Sequence, residues 1–189
     1  MDMHSAERLI IEAMRLQVES RGREFRLDGL SDTIAHVAKF LTSDSHKFGL
    51  MLMGLCGNGK TSLVKSLQSI LWHLDLRGEY KERMQISFYT AKALAWMFAK
   101  ENCNPGASVY CAPILAIDDL GNEPKQVMVY GNVFTPITDI LEMRYERRLF
   151  TIATTNLKPD QIHSEYGTRI ADRLNEMMEI VIFTNSSYR

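Results

Sequence analysis

The chain has 189 residues, 46% of them hydrophobic and 24% charged, which is the size and composition of one globular domain with a proper core. The formal net charge of −1 argues against a surface coated with positive potential for nucleic acid, although a local basic strip is compatible with it. No apolar run approaches membrane-spanning length and the first residues lack a signal-peptide pattern, so we expect a cytoplasmic protein without a membrane partner. Cys56, Cys103 and Cys111 lack zinc-site spacing and an even count, which predicts reduced thiols.

The chain begins with a predicted amphipathic helix over residues 6–18, where apolar residues recur with helical period before Gly22. We expect this helix and a basic linker, together residues 1–26, to lie outside a core domain formed by residues 27–189. Four arginines cluster near the end of the helix, and both a solvated face and a contact with nucleic acid or a partner are open interpretations: Arg15, Arg21, Arg23 and Arg26. A second helix is predicted over residues 32–41.

A glycine-rich turn follows the apolar residues 48–53 and precedes a helical pattern. We call it the phosphate loop: Gly54-Leu55-Cys56-Gly57-Asn58-Gly59-Lys60-Thr61. A strand that turns through glycines into a helix directs several backbone N–H groups into one concavity at the positive end of the helix dipole, where polyphosphate fits. Lys60 then reaches the β- and γ-phosphates, the Thr61 hydroxyl is a candidate Mg²⁺ ligand, and Ser62 completes the candidate nucleotide-binding stretch. The alternative is a glycine-rich turn that binds nothing.

Three elements and a loop are predicted next. Apolar positions with helical period indicate a helix over residues 61–76 that packs on the sheet. Residues 85–90 are rich in β-branched and aromatic types, as in strands, and residues 91–100 are strong helix formers. Residues 102–112 carry proline and glycine and are predicted to form a loop.

A second chemical motif is Ile114-Leu115-Ala116-Ile117-Asp118-Asp119-Leu120-Gly121. Continuous apolar sequence is typical of a parallel strand buried on both faces, so the two carboxylates are expected at its carboxyl end, beside the phosphate loop. There Asp118 is predicted to hold Mg²⁺, usually through water, as a second metal ligand besides Thr61, and Asp119 to polarise the attacking water. A surface turn that merely contains two aspartates is the alternative.

The remaining pattern alternates helices and strands. Residues 134–148 form a predicted helix that has Arg144, Arg147 and Arg148 near its end, where cations favour the dipole. Residues 150–156 form a buried strand that ends at Asn156, which is predicted to orient the lytic water or to contact the γ-phosphate, with strand-end capping as the alternative. A helix over residues 159–178, broken near Gly167, and a strand over residues 179–184 complete an α/β fold with a parallel sheet.

With these residues in place, the chain resembles the ATPase core of DnaC/IstB-type proteins, bacterial and phage helicase loaders and transposition helpers of the AAA+ superfamily. The phosphate loop corresponds to Walker A, residues 114–121 to Walker B and Thr154-Thr155-Asn156 to sensor 1. Two further segments are more specific to the family: the arginine-finger box Tyr166-Gly167-Thr168-Arg169-Ile170-Ala171-Asp172-Arg173-Leu174 and the terminal Ser187-Tyr188-Arg189. The resemblance implies a P-loop NTPase three-layer αβα sandwich with a five-stranded parallel sheet and no C-terminal lid domain.

The resemblance also implies function. Arg173 would be the finger that reaches the ATP of a neighbouring subunit, with Arg169 as its helper, so hydrolysis would depend on assembly of a nucleotide-dependent homo-oligomer. Further expected partners are single-stranded DNA and a replicative helicase or a transposase. The catalytic residues would be Lys60, Asp119, Asn156 and Arg173, with ATP and Mg²⁺ as cofactors.

The chain departs from the family pattern at three points. We expect the family's helicase-binding N-terminal domain to be missing, because the first core strand begins near Phe48. Asp119 stands where many relatives have glutamate. Its side chain is shorter by one methylene, so it would reach the attacking water less well and hydrolysis would be slow. Initiator-type relatives insert a DNA-contacting helix where this chain has residues 101–112, so we expect DNA contact from Lys92, Lys100 or the arginines after the first helix.

Three functions follow from these predictions. The first is an ATP-dependent helper of DNA replication or of a mobile element that hydrolyses ATP slowly on single-stranded DNA. The second is a nucleotide-gated binding module with little turnover. The third is a small-molecule kinase, which shares the phosphate loop but needs an acceptor pocket and a basic lid for which the sequence has no candidate.

Overall fold

The computed structural model describes residues 1–78, 83–100 and 107–188. Two helices come first, and strands then alternate with helices along the rest of the chain. The first half contains α1 (Met3–Glu19), α2 (Ser31–Leu41), β1 (Gly49–Gly54), α3 (Lys60–Leu74), β2 (Ile86–Thr90), α4 (Ala91–Lys100), the short α5 (Ala107–Tyr110) and β3 (Ile114–Leu120). The second half contains β4 (Val127–Val129), β5 (Asn132–Phe134), α6 (Pro136–Glu146), β6 (Phe150–Thr155), α7 (Pro159–Met177) and β7 (Glu179–Phe183).

The predicted five-stranded parallel sheet is confirmed, with strand order β2-β3-β6-β1-β7. β6 lies between β3 and β1, so the strand ends that carry the phosphate loop, the two aspartates and Asn156 are neighbours at one edge of the sheet. Crossover connections through helices place all carboxyl ends on that edge, where α/β proteins bind their ligands.

Helices cover both faces of the sheet, which makes the three-layer sandwich. Because side chains alternate along a strand, Leu50 and Leu52 of β1 belong to the core cluster on one face, and Met51 and Met53 belong to the cluster on the other. The first cluster contains buried residues of α1, α2 and α3, and the second contains those of α4, α6 and α7. In the described part of the chain no helix is long and apolar enough to cross a membrane.

The position of α1 corrects the expectation that this helix lies outside the core. Its stripe of Ala6, Ile10 and Met14 is buried in the same cluster as Leu63 and Val64 of α3. Burying that stripe removes apolar surface from water, which stabilises α1 against the sandwich. The residues between the first two helices, 20–30, which we call the α1–α2 linker, are thereby held against the phosphate-loop edge of the sheet.

Sequence analysis assigned no element to the β4–β5 hairpin. Its turn residues Tyr130 and Gly131 both have positive φ, 49° and 82°, as a two-residue hairpin turn of the common mirror-image type requires. Tyrosine is not a usual residue at such a position, so the turn carries no Asn-Gly or Asp-Gly signal. The predicted break at Gly167 is present, with φ 80° and ψ 165° inside α7.

Several predictions lie partly outside the described residues. The predicted loop over residues 102–112 contains the short helix α5 in its described portion. Cys56 and Cys111 are exposed free thiols, whereas Cys103 lies outside the described residues. Arg189 and the side chain of Lys100 also lie outside them.

Candidate functional site: a nucleotide pocket at the carboxyl edge of the sheet

The phosphate loop connects β1 to α3 and depends on glycine at two points. At Gly54, φ is 149° and an added Cβ would lie 2.5 Å from Asn58 Nδ2 and 2.7 Å from the Phe183 carbonyl oxygen, so no side chain fits. Gly59 precedes the first turn of α3 with φ 102°, a conformation that other residues rarely adopt. The first N–H groups of α3 have no acceptor within the helix, and they point out of its N-terminus.

Lys60 is buried, with 5% of its surface exposed, and its ammonium group is surrounded by oxygen atoms. Its Nζ lies 2.7 Å from the Gly54 carbonyl oxygen and 2.8 Å from that of Leu55. It also lies 3.1 Å from Asn58 Oδ1 and 3.0 Å from Asn156 Oδ1. An ammonium has three protons for these four oxygens, so at least one hydrogen bond is shared between two of them.

Burial lowers the pKa of the Lys60 ammonium, because it disfavours the charged form. The charges of Cys56, Asp119 and Asp118 oppose that shift and are smaller causes. In the absence of an anion the buried cation is therefore incompletely compensated. A polyphosphate bound there would supply the missing negative charge.

Asp118 is held in place by two hydroxyl groups. Thr61 Oγ1 donates to the Asp118 carboxylate, with distances of 2.9 Å and 3.1 Å to its two oxygens. Thr154 Oγ1 of β6 donates to Asp118 Oδ1 at 2.7 Å and accepts from the Asp119 backbone N–H at 2.9 Å. Thr154 therefore orients both aspartates from the neighbouring strand. Sequence analysis gave it no individual role, because its contacts follow from strand order.

Asp119 interrupts its strand. It has φ 57°, a left-handed conformation that is uncommon outside glycine, asparagine and aspartate, and the β3–β6 register shifts between Ile117 and Leu120. Both features lie where the carboxylate lines the pocket. Backbone strain and bulges of this kind cluster at functional sites.

Asn156 follows β6 directly and bridges two parts of the phosphate loop. Its Oδ1 accepts from Lys60, and its Nδ2 lies 3.9 Å from Cys56 Sγ. The predicted neighbourhood of Lys60, Thr61, Asp118 and Asn156 is therefore present in the structure. Gly54 and Leu55, also predicted to bind nucleotide, instead give their carbonyl oxygens to Lys60, and neither lines the pocket.

These residues open onto a cavity of about 330 Å³, which lies at the small end of the range for ligand sites. Cys56 to Ser62, Asp118, Asp119 and Asn156 form one wall. The rest of the lining, which we call the basic wall, was not predicted from the sequence and comes from α1, the α1–α2 linker and the C-terminal part of the chain: Met14, Val18, Arg21, Arg23, Glu24, Phe25, Arg26, Leu30 and Tyr188. Three of the four arginines in the basic cluster thus line the pocket, whereas Arg15 forms an ion pair with Glu12 at 3.7 Å.

The donor set fits Mg²⁺. A hydroxyl and a carboxylate in contact, Thr61 and Asp118, are hard oxygen ligands. Among the described residues no three histidine, cysteine or acidic side chains form a metal-binding group, so most ligands of a bound ion would be phosphate oxygens and water, as Mg²⁺ favours. When bound, the ion would neutralise charge on the phosphates.

The two arginines of the predicted finger box lie away from the pocket of their own chain. Arg169 Nε and Arg173 Nη1 each lie 3.2 Å from Glu142 Oε1 of α6. The Arg173 guanidinium also stacks 4.9 Å from the centre of the Tyr145 ring. The Arg169 side chain is 70% exposed and that of Arg173 only 18%, so Arg169 is the more accessible of the two.

The fold is similar to those of several solved structures. No protein-family model matches the chain, and no curated protein matches it. Among solved structures, the DnaC helicase loader has a TM-score of 0.64 and 22% identity over 82% of this chain and 90% of that chain. DnaI has a TM-score of 0.61 and 20% identity over 94% and 93%.

The replication initiator DnaA bound to AMPPCP and single-stranded DNA has a TM-score of 0.55 and 16% identity over 82% of this chain. The aligned region is 46% of the DnaA chain, so this chain spans about half of that protein. At these identities the likeness is one of fold. It confirms, for the fold, the resemblance to DnaC-type proteins that the sequence motifs indicated.

Proposed function

We propose that the protein binds ATP with Mg²⁺ and hydrolyses it slowly in an assembled state, as a helper of DNA replication or of a mobile element that acts with single-stranded DNA. One observation carries the proposal. Lys60, Thr61, Asp118 and Asn156, from three different strand ends, converge on a single cavity whose loop presents helix N-terminal amides. The AMPPCP bound to the structurally similar DnaA supports a nucleoside triphosphate as the ligand.

Each residue has a separate task in this proposal. Phosphate oxygens replace the carbonyl oxygens of Gly54 and Leu55 around the Lys60 ammonium, which then neutralises charge on the β- and γ-phosphates. Asp118 and Thr61 hold the metal. Asp119 accepts a proton from the attacking water, and the Asn156 amide positions that water or the terminal phosphate.

Arg173 would complete the site in a neighbouring subunit. Its guanidinium offers fixed donors to the charge that develops on the transferred phosphoryl group. In the single chain this group binds Glu142, so an assembled interface has to compete with that ion pair. Hydrolysis then becomes conditional on assembly.

Single-stranded DNA and a replicative helicase are the partners supported by the structural likeness to DnaC helicase loader and to DNA-bound DnaA. A transposase is the alternative partner. The exposed Lys92 of α4 and the arginines near the end of α1 would contribute phosphate contacts, which are sensitive to salt and read little sequence.

The test is the ATPase rate per molecule as a function of protein concentration, with and without single-stranded DNA. We expect the rate to rise with both. Arg173→Ala should lower the assembled rate by about 10³-fold, the usual contribution of an arginine finger, and leave ATP affinity unchanged. Arg8→Ala, at an exposed arginine of α1 outside the pocket, is the matched control. A rate independent of protein concentration and of DNA would contradict the proposal.

The geometry of Asp119 favours a second candidate, a nucleotide-gated binding module with little turnover. Its backbone is fixed by Thr154 in a left-handed conformation, and its side chain is one methylene shorter than glutamate. Asp119→Glu should then raise turnover by at least about tenfold, because a well-placed general base contributes about 10²–10⁴-fold. Asp44→Glu, at an exposed position between α2 and β1, is the control. An unchanged rate in Asp119→Glu would argue that reach does not limit hydrolysis.

A further inference from the structure

The C-terminal residues 185–188, which we call the tail, are bound directly to the phosphate loop. The Tyr188 backbone N–H donates to the Gly57 carbonyl oxygen at 3.1 Å. The Asn185 side-chain amide donates to the Asn58 carbonyl oxygen at 3.0 Å. The tail thus occupies two consecutive carbonyl groups in the middle of the loop.

These two contacts orient the loop. The peptide units that join Gly57 to Asn58 and Asn58 to Gly59 are trans, and in a trans unit the C=O and N–H point in opposite directions. With both carbonyl groups directed to the tail, the N–H groups of Asn58 and Gly59 are turned away from it. Loop N–H groups turned to one side form the concavity that binds phosphate.

The tail also contacts the α1–α2 linker. The Tyr188 hydroxyl donates to the Asp28 carbonyl oxygen at 2.6 Å. Next to it, Gly29 has φ +73° and packs so closely on Asn185 that an added Cβ would lie 2.9 Å from the Asn185 Cβ. The same linker contributes Arg21, Arg23 and Arg26 to the pocket wall. One residue, Tyr188, therefore connects the phosphate loop, through its backbone N–H, to the linker that carries the basic wall, through its hydroxyl.

We propose that the tail is a positioning element of the nucleotide site: Asn185 and Tyr188 hold the phosphate loop in its triphosphate-binding form, and Tyr188 transmits nucleotide binding to the α1–α2 linker. The inference rests on the proposed function. In this arrangement the phosphates attract the linker arginines from one side while the tail fixes the linker from the other. The linker then closes over the nucleotide, and α1, packed on α3, senses the nucleotide state.

Tyr188→Phe tests the connection, because it keeps the ring and the backbone N–H and removes the hydroxyl that donates to the Asp28 carbonyl oxygen and interacts with the Asn185 side chain. The readouts are the Kd for ATP with Mg²⁺ and the rate of trypsin cleavage after the linker arginines, with and without ATP. In the wild-type protein, saturating ATP should slow linker cleavage by about tenfold or more, since a ligand suppresses local opening by mass action. In Tyr188→Phe the protection should fall below about threefold, while Kd changes by less than about tenfold.

Asn185→Ala tests the positioning of the loop. Loss of the donor to Asn58 should raise the KM for ATP by about tenfold and leave kcat unchanged, because the side chain acts on the binding geometry and not on the reacting atoms. The matched controls are Tyr130→Phe and Asn132→Ala in the exposed β4–β5 hairpin, and thermal unfolding verifies that all variants fold.

The outcomes separate this inference from the proposed function. A wild-type protein that fails to bind ATP overturns both. If it binds ATP but the linker is not protected, or if Tyr188→Phe is protected like the wild type, the transmission is overturned and the proposed function stands. Wild-type kinetics in Asn185→Ala would overturn the positioning role.

Discussion

Two buried cations on different parts of the sandwich differ in their surroundings: one lies beside the proposed nucleotide pocket and the other lies in the core. Lys60 lies at the carboxyl edge of the sheet, and Arg144 lies in α6, with 5% and 0% of their surfaces exposed. Both bind main-chain carbonyl oxygens: Lys60 those of Gly54 and Leu55, Arg144 that of Phe150 at 2.7 Å. Burial lowers both pKa values, and that of Arg144 falls to about 10.

The difference lies in what surrounds each cation. The guanidinium of Arg144 donates from Nε to Thr151 Oγ1 at 2.8 Å and from Nη1 to the carbonyl oxygens of Ala112 and Val109 at 3.0 Å and 3.4 Å. It fixes α5 and β6 to α6 and lines no described cavity. Lys60 shares its protons among its acceptors and opens onto the pocket. The fixed donors of Arg144 match fixed acceptors and so stabilise the fold. The ammonium of Lys60 lies beside open volume, where an anion could bind.

Arg144→Met should produce the largest effect on folding. Methionine fills much of the volume but leaves the carbonyl oxygens of Phe150, Ala112 and Val109 without this donor, and each buried unsatisfied group costs free energy. We expect the free energy of unfolding to fall by about 3 kcal/mol in denaturant titrations, with the ATP Kd of the folded fraction unchanged. Arg147→Met, at the exposed neighbouring arginine, is the control. If Arg144→Met instead kept full stability and lost much of its ATP affinity, Arg144 would belong to the binding site and not to the fold.

Lys60→Met should have the opposite profile. Loss of a charge-assisted contact with phosphate should weaken ATP binding by about 2 kcal/mol, or roughly 30-fold, measured by calorimetric titration. The melting temperature should change little, because removal of the ammonium also removes its cost of burial. Lys65→Met, on the same helix and outside the pocket, is the control. If Lys60→Met binds ATP like the wild type, the pocket does not hold the phosphates as proposed.

The same comparison shows what the sequence could predict. The phosphate loop and Asp118 are encoded in short contiguous motifs, and apolar runs identify their strands, so the edge of the sheet could be located from local pattern. Arg144 was predicted only as a cation near a helix end, where it favours the dipole. Its burial depends on α5 and β6, which are distant in the chain, and a helical pattern alone does not show which arginine faces inward.

The basic wall of the pocket could not be predicted from the sequence for the same reason. The apolar stripe of α1 predicts a packed helix but not the surface it packs on, so its place beside α3 emerged only with the structure. Tyr188 was noted as part of a family segment, and its bonds to Gly57 and Asp28 join three stretches that are far apart in sequence. Local periodicity does not show which residues contact each other across layers. The sequence therefore predicts the phosphate loop but not the residues that line the rest of the pocket.

The smallest expected effect is the pH dependence of Lys60. Because its folded-state pKa is lower than that of an unfolded lysine, the unfolded chain holds the proton more tightly, and the charged form costs folding free energy. That cost is fully present below the folded pKa and disappears as pH rises to the ordinary lysine value of about 10.4. ATP affinity has the opposite pH dependence, because binding needs the charged form of Lys60. As pH rises, the affinity should begin to fall at a lower pH than it would if this lysine were exposed.

The difference in unfolding free energy between the wild-type protein and Lys60→Met isolates this effect. Arg144 also titrates in alkali, with a pKa near 10, but it is present in both proteins and cancels. We expect the wild type to gain stability relative to Lys60→Met as pH rises toward the ordinary lysine value of about 10.4, while its ATP affinity falls by less than about tenfold. If the stability difference stays flat over that range while affinity falls, the loss of binding comes from another group, and burial of the Lys60 ammonium costs no folding free energy.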